Sequence, residues 1–330
     1  MQASVPDSSI HHDGQDDHAS SYSRAMSGLP GYDGGGGMRL PSPLAELADA
    51  RLDEHHVRLL LKRDDLIHPE LSGNKWRKLS HNLAAARELG HTTLLTFGGA
   101  YSNHIRAVAA AGRVFGFSTI GVIRGERVEP LNWSLSYATA QGMKLTYLDR
   151  ETYRHKHEPR VIDALRVRFG DVYVLPEGGS NALAVRGCAE LPQEIDIAFD
   201  LICCPVGSGG TLAGIAAGLA PGQHALGFSS LKGAWSLDAE VAELQRDAFG
   251  TTSGNWTINH DFHCGGFVKR TPELDKFISD FHQRHGVDLD WVYVAKMLYG
   301  LVALAERGEF DSGTTIVAVI TGAAEPAATT

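Results

Sequence analysis

The sequence has few cysteines and lacks a long apolar run, and each shortage argues against a class of protein. Four of the 330 residues are cysteines, at positions 188, 203, 204 and 264, and no pair is spaced as Cys-x-x-Cys. This distribution argues against a zinc ribbon and a disulfide framework, and it predicts reduced thiols in a cytoplasmic protein. The most apolar stretch, residues 201–220, contains a proline and five glycines, which predicts a strand, a loop and a helix instead of a membrane span.

Long basic runs and metal-binding histidine patterns are also missing. The formal net charge is −9, so a nucleic-acid-binding surface is not expected. No His-Glu-x-x-His or comparable spacing occurs, so the sequence predicts no catalytic metal. Residues 1–37 are rich in Ser, Asp, His and Gly and lack the basic start and apolar core of a signal peptide, which predicts a disordered head.

From about residue 38, short apolar strands alternate with helical stretches. One example is the predicted strand at residues 92–97, followed by a glycine pair and a helix over residues 103–111 that Gly112 would end. Such alternation predicts an α/β fold with mostly parallel sheets that helices cover on both faces. Because ligands bind these sheets beyond the carboxyl ends of the strands, chemistry is expected in the loops that follow strands.

One lysine stands behind a Gly-Asn turn at the head of a helical run. Lys75 follows Gly73-Asn74, and we expect Asn74 to cap a helix whose first turn holds the lysine close to the backbone. This position suits a Schiff base with an aldehyde cofactor, which needs a partly neutral amine. Crowding by Arg77 and Lys78 would favour that neutral form. The alternative from these residues alone is a solvated lysine at a basic helix start.

Two loops that follow strands carry groups suited to anions. In residues 98–104, Ser102 or Asn103 can cap the next helix, whose free N–H groups would favour a substrate carboxylate. The alternative there is a capped helix with a satisfied His104. The second loop lacks both the Gly-Lys-Ser/Thr and the Gly-x-Gly-x-x-Gly nucleotide patterns, which leaves a cup for one phosphate monoester or a tight turn. Its residues are Gly207, Ser208, Gly209, Gly210 and Thr211.

Three further segments are ambiguous on their own. Residues 177–181 follow a predicted strand and are interpreted as a turn. Thr321 follows the last predicted strand, where its hydroxyl could meet a ring nitrogen. Tyr293 precedes a helix and could donate a proton, with a buried core tyrosine as the alternative.

Taken in chain order, these motifs resemble a known family. They are Ser72-Gly73-Asn74-Lys75-x-Arg77-Lys78, Gly99-Ala100-Tyr101-Ser102-Asn103-His104, Gly207-Ser208-Gly209-Gly210-Thr211, Tyr293-x-x-Lys296 and Thr321-Gly322. Together they resemble the pyridoxal-phosphate enzymes of the tryptophan-synthase-β fold type. Within that type they are similar to the 1-aminocyclopropane-1-carboxylate deaminase and D-cysteine desulfhydrase family. The resemblance covers residue 38 to the end of the chain.

The resemblance implies how pyridoxal 5'-phosphate would be held. Lys75 would form the Schiff base with the cofactor and later carry the proton of the reaction. Asn103 would hydrogen-bond the ring hydroxyl, and residues 207–211 would hold the phosphate. Thr321 would meet the pyridine nitrogen, and its neutral hydroxyl would not keep that nitrogen protonated, which favours rapid elimination over transamination.

The resemblance also implies which side chains would meet a small amino-acid substrate. Ser102, together with Asn103 and His104, would bind the substrate, and Ser102 would hold its carboxylate or help proton transfer. Tyr293 would face the substrate as a catalytic residue.

Two positions depart from the deaminase pattern. Val294 stands where a glutamate usually follows the tyrosine matched by Tyr293, and Phe267 is the nearest aromatic residue where a second tyrosine is usual. Because opening a cyclopropane ring needs placed proton donors, the favoured function is D-cysteine desulfhydrase-like α,β-elimination from a small amino acid, giving a 2-oxo acid and ammonia. The alternative is 1-aminocyclopropane-1-carboxylate deamination. The alternative of another class is a non-catalytic protein that binds phosphate and amino acids on the same scaffold.

We expect two lobes around a cofactor cleft. Residues 38–81 and 166–330 would form the larger, cofactor-binding lobe, and residues 82–165 a smaller inserted α/β lobe. Lys75 would lie on the larger side of the cleft. The resemblance implies a homodimer, and neither a nucleic acid nor a membrane is an expected partner.

Overall fold

The structure, a computed structural model, describes residues 37–71 and 73–322. The predicted disorder of the head therefore lies outside the described residues, apart from Gly37, and Ser72 of the lysine motif lies outside them too. The strands are β1 (Leu44–Leu47), β2 (Arg58–Lys62), β3 (Thr93–Gly98), β4 (Ser118–Arg124), β5 (Lys144–Leu148), β6 (Tyr173–Leu175), β7 (Leu201–Val206), β8 (His224–Ser229), β9 (Trp256–Asn259) and β10 (Thr315–Val319). The helices are α1 (Ala50–Asp53), α2 (Asn74–Glu88), α3 (Asn103–Phe115), α4 (Trp133–Ala140), α5 (Arg150–Arg154), α6 (Pro159–Phe169), α7 (Ala182–Ala189), α8 (Gly210–Ala217), α9 (Leu237–Phe249), α10 (Pro272–His285) and α11 (Val294–Glu306).

The strands form two sheets in which most neighbours run parallel. The six-stranded sheet has the order β1-β2-β10-β7-β8-β9, and the four-stranded sheet has the order β5-β4-β3-β6. The pair β1–β2 is antiparallel, and the other described pairs are parallel. The predicted α/β class with mostly parallel sheets is confirmed. None of the described helices combines the length and the apolarity that a lipid bilayer would require.

The central strands of both sheets are buried on both faces. In β10, Ile316 and Ala318 belong to one apolar cluster, while Val317 and Val319 belong to another. Alternate residues of β3 divide in the same way between two further clusters. Strands covered on both faces need a nearly continuous apolar sequence, which is the pattern that the chain shows. Polar site residues are therefore expected in the loops at the strand ends.

Helix α2, which carries Lys75, lies between the two sheets. Its Trp76 is buried in one cluster with Leu94 of the smaller sheet. On its other side it meets α7, where a Cβ on Gly187 would lie 2.1 Å from the carbonyl oxygen of Arg77. A glycine at this point lets the two helix backbones touch. The helix is therefore fixed from both sides.

Helix α3 runs through the glycine that was predicted to end it. The prediction of a stop at Gly112 is wrong, because the helix continues to Phe115 and ends at Gly116, which has a φ of +71°. Gly112 serves packing instead, since a Cβ there would lie 2.3 Å from Cγ2 of Thr119 on β4. The longer helix keeps its first turn, which carries the predicted site residues, rigidly joined to the smaller sheet.

Candidate active site

Loops that follow three different strands meet at one place. The loop after β7 touches the turn after β6, because a Cβ on Gly178 would lie 2.7 Å from Oγ of Ser208. The same turn touches the start of α3, because a Cβ on Gly179 would lie 2.7 Å from Cε1 of His104. The carboxyl ends of β3, β6 and β7 thus face one another, which brings predicted site residues from both sheets together.

Lys75 lies in a helix start that is built on Gly73. Gly73, not Asn74, is the N-cap of α2, so the predicted capping role of Asn74 is wrong. Gly73 has a φ of +70°, and a Cβ on it would lie 1.7 Å from the carbonyl oxygen of Thr321, so no other residue fits. Asn74 instead donates from Nδ2 to Oγ1 of Thr211 at 2.7 Å, and its Oδ1 accepts a hydrogen bond from Nζ of Lys75 at 3.0 Å. The lysine and the glycine-rich loop are therefore neighbours.

The amine of Lys75 has a lowered pKa. Burial is the largest cause and repulsion from Lys78 the second, and together they lower the pKa from 10.5 to about 7. The side chain still keeps part of its surface accessible. A lysine that is surrounded by protein, partly neutral and still reachable is suited to attack a carbonyl group.

Arg77 does not add to this effect as the sequence predicted, because two carboxylates balance its charge. Its guanidinium donates to Asp64 at 2.7 and 2.8 Å and to Glu194 at 2.7 Å. Glu194 also pairs with the buried Lys62 at 2.8 Å. Such a network of opposite charges, with each group hydrogen-bonded, fixes the first turn of α2 and so the direction in which Lys75 points.

A lysine that is buried more completely than Lys75 lies one helical turn after it. Lys78 is 2% exposed, and its Nζ donates to the carbonyl oxygen of Gly178 at 2.9 Å, Oγ of Ser180 at 2.8 Å and Oγ of Ser208 at 3.3 Å. Burial lowers the pKa of Lys78 to about 8. All three acceptors are neutral oxygens, so the charge of the ammonium is left for an anion to balance. We call these four residues the Lys78 cup.

The Lys78 cup is not predicted by the sequence motifs. From those motifs Lys78 is expected only to crowd Lys75, and residues 177–181 are expected only to form a turn. The available signal was the spacing of three residues between Lys75 and Lys78, which places both side chains on one side of a helix. Ser180 carried no comparable signal, because its nearness to Ser208, at 2.8 Å between the two hydroxyls, depends on how the two sheets meet.

Helix α8 begins at the Lys78 cup. Gly209 is its N-cap and has a φ of +74°, which few other residues adopt. A Cβ on Gly210 would lie 2.6 Å from Oγ of Ser180, so the close approach of the two loops also requires a glycine there. The N–H groups and the dipole at a helix start favour a bound anion. The predicted phosphate loop, residues 207–211, thus lies beside a buried cation.

Ser102 and Asn103 begin α3 at the end of β3. Ser102 is the N-cap, and its Oγ accepts a hydrogen bond from the N–H of Ile105 at 3.3 Å. Oδ1 of Asn103 accepts a hydrogen bond from Arg106, whose guanidinium carbon lies 4.1 Å from the ring centre of Trp133. Because a guanidinium can only donate, the oxygen of Asn103 must face Arg106, and the amide nitrogen is turned away to donate elsewhere.

His104 lies behind these two residues and is 1% exposed. Oγ1 of Thr96 donates to the carbonyl oxygen of Leu175 at 3.1 Å, so it must accept the proton of Nε2 of His104 at 2.9 Å. Burial holds the pKa of His104 well below its usual range, which keeps the ring neutral. The imidazole packs against Gly179 and supports the turn of the Lys78 cup. Its predicted contact with substrate stays a prediction.

Tyr293 and Thr321 belong to segments that adjoin the six-stranded sheet. Tyr293 is the N-cap of α11, and a Cβ on Gly207 would lie 3.1 Å from Cε1 of its ring. Its backbone N–H donates to Oδ2 of the buried Asp290 at 3.1 Å. Thr321 follows β10, is 9% exposed, and its carbonyl oxygen accepts from the N–H of Asn74 at 3.0 Å. Both predicted residues therefore contact segments that carry the lysine or the glycine loop.

The arrangement fits an aldehyde that carries a phosphate group. The amine of Lys75 is able to condense with an aldehyde, and the bond from Asn74 to Thr211 joins it to the first turn of α8. The ammonium of Lys78 contacts only neutral oxygens in its cup, which is the environment that a phosphate dianion would complete.

Comparisons with known proteins agree with this chemistry. A family model described as "Pyridoxal-phosphate dependent enzyme" matches residues 38–322. A putative 1-aminocyclopropane-1-carboxylate deaminase of Thermotoga maritima is 32% identical over 288 residues, which cover 82% of this chain and 90% of that protein. A D-cysteine desulfhydrase of Yersinia enterocolitica is 28% identical over 307 residues, covering 86% of this chain and 91% of that protein.

The fold is likewise similar to a solved structure. A crystal structure described as that of an ACC deaminase homologue superposes with a TM-score of 0.77 at 26% sequence identity. The superposition covers 91% of this chain and 94% of that chain. The predicted resemblance to this group of proteins is confirmed by sequence and by structure.

Proposed function

The chain belongs to the family of pyridoxal-phosphate dependent enzymes, and we propose that within it the protein is a lyase that eliminates the β-substituent of a small amino acid. The proposed substrate type is D-cysteine, with a 2-oxo acid, ammonia and hydrogen sulfide as products. Relatives named for D-cysteine desulfhydration and for deamination support this chemistry. The observation that carries the proposal is the lowered pKa of Lys75, about 7, together with the hydrogen bond from Asn74 to Thr211, which holds this lysine beside the glycine-rich loop.

Residues of four segments would hold the cofactor. Lys75 would bind its aldehyde carbon, and the Lys78 cup with residues 207–211 would bind its phosphate. Asn103 would donate its amide N–H to the ring hydroxyl, and the hydroxyl of Thr321 would meet the pyridine nitrogen. When bound, pyridoxal phosphate withdraws electrons from the bonds at the substrate's α-carbon and so eases the loss of the α-proton. The fit rests on the cation of Lys78, whose acceptors are neutral oxygens.

Lys75 would accept the α-proton, because a neutral amine with a pKa near that of the medium is an effective base. The bond between Cβ and sulfur then breaks, and the sulfur leaves with a proton as hydrogen sulfide. Tyr293 would face this departing group. The released enamine takes up water to give pyruvate and ammonia, so the reaction consumes one water molecule and no other co-reactant.

The substrate's carboxylate would lie at the start of α3. Ser102 already caps this helix through its Oγ, so its hydroxyl hydrogen and the neighbouring N–H groups would donate to an anion. Asn103 would add its amide nitrogen, which Arg106 turns away from itself. His104 would act mainly from behind, since it is buried and bonded to Thr96.

Cyclopropane ring opening is the second candidate, and relatives named for it keep it open. It is less favoured because it needs additional proton donors near the substrate. Val294 is an apolar side chain buried in the core of the larger sheet, so this position supplies no acid. Phe267 has a ring but no hydroxyl. A non-catalytic binding protein is less favoured still, because binding alone does not require the lowered pKa of Lys75.

The test uses purified protein with pyridoxal phosphate and a panel of amino acids. We expect a visible absorption band that borohydride traps as a covalent adduct, and release of 2-oxo acid and sulfide from D-cysteine. Lys75→Ala should lose the adduct and the turnover, whereas Lys276→Ala, at an exposed lysine of α10, should keep both. A colourless protein would reject the enzyme, and a band without any product would favour the binding protein.

The division into lobes, the dimer and the cytoplasmic location are proposed on the same resemblance. Strands β3 to β5 lie within the proposed smaller lobe, residues 82–165, and β6, which lies just beyond that range in the chain, pairs with β3. The four cysteines are buried and free, as is usual for a reducing compartment. Sedimentation of the cofactor-loaded protein at twice the mass of the chain would support the homodimer.

A further inference from the structure

The turn formed by residues 264–268 has an unusual backbone. Cys264 and Val268 have φ angles of +50° and +54°, although neither is a glycine. Gly265 and Gly266 between them have φ angles of +90° and +114°. A β-branched residue such as valine is strained in this left-handed region. Strain of this kind persists where surrounding contacts hold the backbone, and it is concentrated at functional sites.

One of the contacts that hold the turn comes from a buried lysine of α11. Lys296 is 1% exposed, and its Nζ donates a hydrogen bond to the carbonyl oxygen of Gly266 at 2.8 Å. Burial lowers the pKa of this lysine, while Cys264 and Asp290 oppose that effect. Burying an ammonium is costly unless its hydrogen bonds are made, so the bond to Gly266 is a strong constraint on the turn.

The turn carries a half-exposed phenylalanine beside Tyr293. Phe267 is 48% exposed, and its ring centre lies 5.9 Å from that of Tyr293 at an interplanar angle of 61°. The ring of Tyr293 in turn lies against Gly207 of the phosphate loop. Phe267 is therefore linked to the glycine loop of the candidate active site through one ring, that of Tyr293. Lys296 lies one helical turn after Tyr293 on α11, so a single helix start fixes both rings.

We propose that Lys296 is a positioning residue that holds Phe267 against Tyr293, and that the ring of Phe267 forms the wall that favours a thiol over a hydroxyl on the substrate's β-carbon. This inference rests on the proposed elimination reaction and names the substituent that the site selects.

The selection follows from the chemistry of the wall. Sulfur is weakly hydrated and makes favourable contacts with aromatic rings. A hydroxyl loses hydrogen bonds to water when it is pressed against a phenyl ring, and Phe267 offers none in return. Discrimination of this kind is largest when a polar group of the wrong substrate is left without a partner. A hydroxyl added to Phe267 should therefore reduce the preference for the thiol.

The test compares kcat/KM for D-cysteine and D-serine in the cofactor-loaded protein. Phe267→Tyr should lower the ratio of the two values by about threefold to tenfold, the worth of one hydrogen bond, and KM for D-serine should fall more than kcat changes. Lys296→Met should lower the ratio in the same direction by loosening the wall. Phe249→Tyr, at a phenylalanine of α9 that is 43% exposed, should leave it unchanged. An unchanged ratio in both Phe267→Tyr and Lys296→Met overturns the inference.

A second measurement separates this inference from the proposed function. The N–H of Lys269 donates to the carbonyl oxygen of Gly266 at 3.1 Å, so its hydrogen exchange reports on the turn without any substrate. Lys296→Met should raise that exchange rate, and Lys296→Arg should restore it. If the wild-type protein binds cofactor but eliminates from neither amino acid, the proposed function fails. In that case, titration of the cofactor's absorption band with D-cysteine and with D-serine tests the inference. Equal affinities for the two amino acids, together with an unchanged exchange rate of the Lys269 N–H in Lys296→Met, would overturn it.

Discussion

Nδ2 of Asn74 lies 2.7 Å from Oγ1 of Thr211, and this hydrogen bond joins two residues that are 137 positions apart in the chain. It connects the first residue of α2 with the first turn of α8. The amine of Lys75, which bonds to the other end of the same amide, is thereby held beside the loop that would bind a phosphate. These hydrogen bonds set the distance between the amine and the anion site before any ligand binds.

Breaking that hydrogen bond should weaken cofactor binding without abolishing it. Asn74→Leu and Thr211→Val should each lower the affinity for pyridoxal phosphate by about tenfold, because a buried partner is left unsatisfied. The double variant should be little weaker than the weaker single variant, since both remove one interaction. Absorption titration of the cofactor-free proteins measures all four affinities. Losses that simply multiply in the double variant would contradict the link.

Removing the charge of Lys78 should abolish an effect of inorganic phosphate. Phosphate should raise the Tm of the cofactor-free wild-type protein, because a ligand that binds only the folded state stabilises it. Lys78→Met should lose this shift and bind the cofactor about thirtyfold more weakly, as expected for hydrogen bonds to a charged group. Lys276→Met, at an exposed lysine, is the matched control and should behave as wild type. A phosphate shift that survives in Lys78→Met would place the anion site elsewhere.

The stability of the cofactor-free protein should rise with pH from about 7 towards the ordinary thiol pKa of 9.0, above which the four buried cysteines, whose pKa values are raised, act in the opposite direction. The pKa of Lys75 is about 7 in the folded chain against an ordinary value of 10.5. Between these values the unfolded chain binds a proton at this lysine that the folded chain does not, so the contribution of Lys75 to the free energy of unfolding increases as the pH rises through this window. Lys78, with a pKa of about 8, acts in the same direction. Urea unfolding at several pH values measures the slope, and Lys75→Met should reduce it. A slope equal in the two proteins would show that Lys75 is protonated in the fold.

Two glycines in the left-handed region should differ sharply in their tolerance of alanine. Gly73→Ala should prevent the helix start from forming and eliminate cofactor binding, because the new Cβ would lie 1.7 Å from the carbonyl oxygen of Thr321. Gly90→Ala, at a φ of +78° with open space around it, should cost only the backbone strain of about 1–2 kcal/mol. Urea unfolding and cofactor titration of both variants check this, and a cofactor-binding Gly73→Ala protein would refute the geometry.

Much of the site could be predicted because its chemistry lies in short local patterns. Gly73 and residues 207–211 mark places where a strand or a turn gives way to a helix, and such positions are visible in a single sequence. The alternation of apolar strands and helices was enough to predict the α/β class, which the two sheets confirm. What those patterns predict well is the order of the elements along the chain.

The remaining features depend on contacts between distant segments. Asn74 follows the rule for a helix cap, yet its side chain turns to Thr211, a partner that only the fold supplies. Gly112 resembles a helix stop, but Thr119 packs against it. Leu89 continues the apolar spacing of α2 and is nevertheless 67% exposed, because the helix ends beside it. Burial, which converts Lys78 from a surface cation into part of an anion site, is likewise a tertiary property.

The Lys78 cup is contributed by three separate stretches of chain, of which one belongs to α2, one follows a strand of the four-stranded sheet and one follows a strand of the six-stranded sheet. A dianion bound by all three would act as a non-covalent cross-link between the segments that follow the two sheets. Separating the two sheets would then require release of the ligand, so we expect loading to couple their unfolding into a single, more cooperative event. We expect the cofactor-free protein, in which only the hydrogen bonds of Lys78 join these stretches, to unfold less cooperatively than the loaded protein.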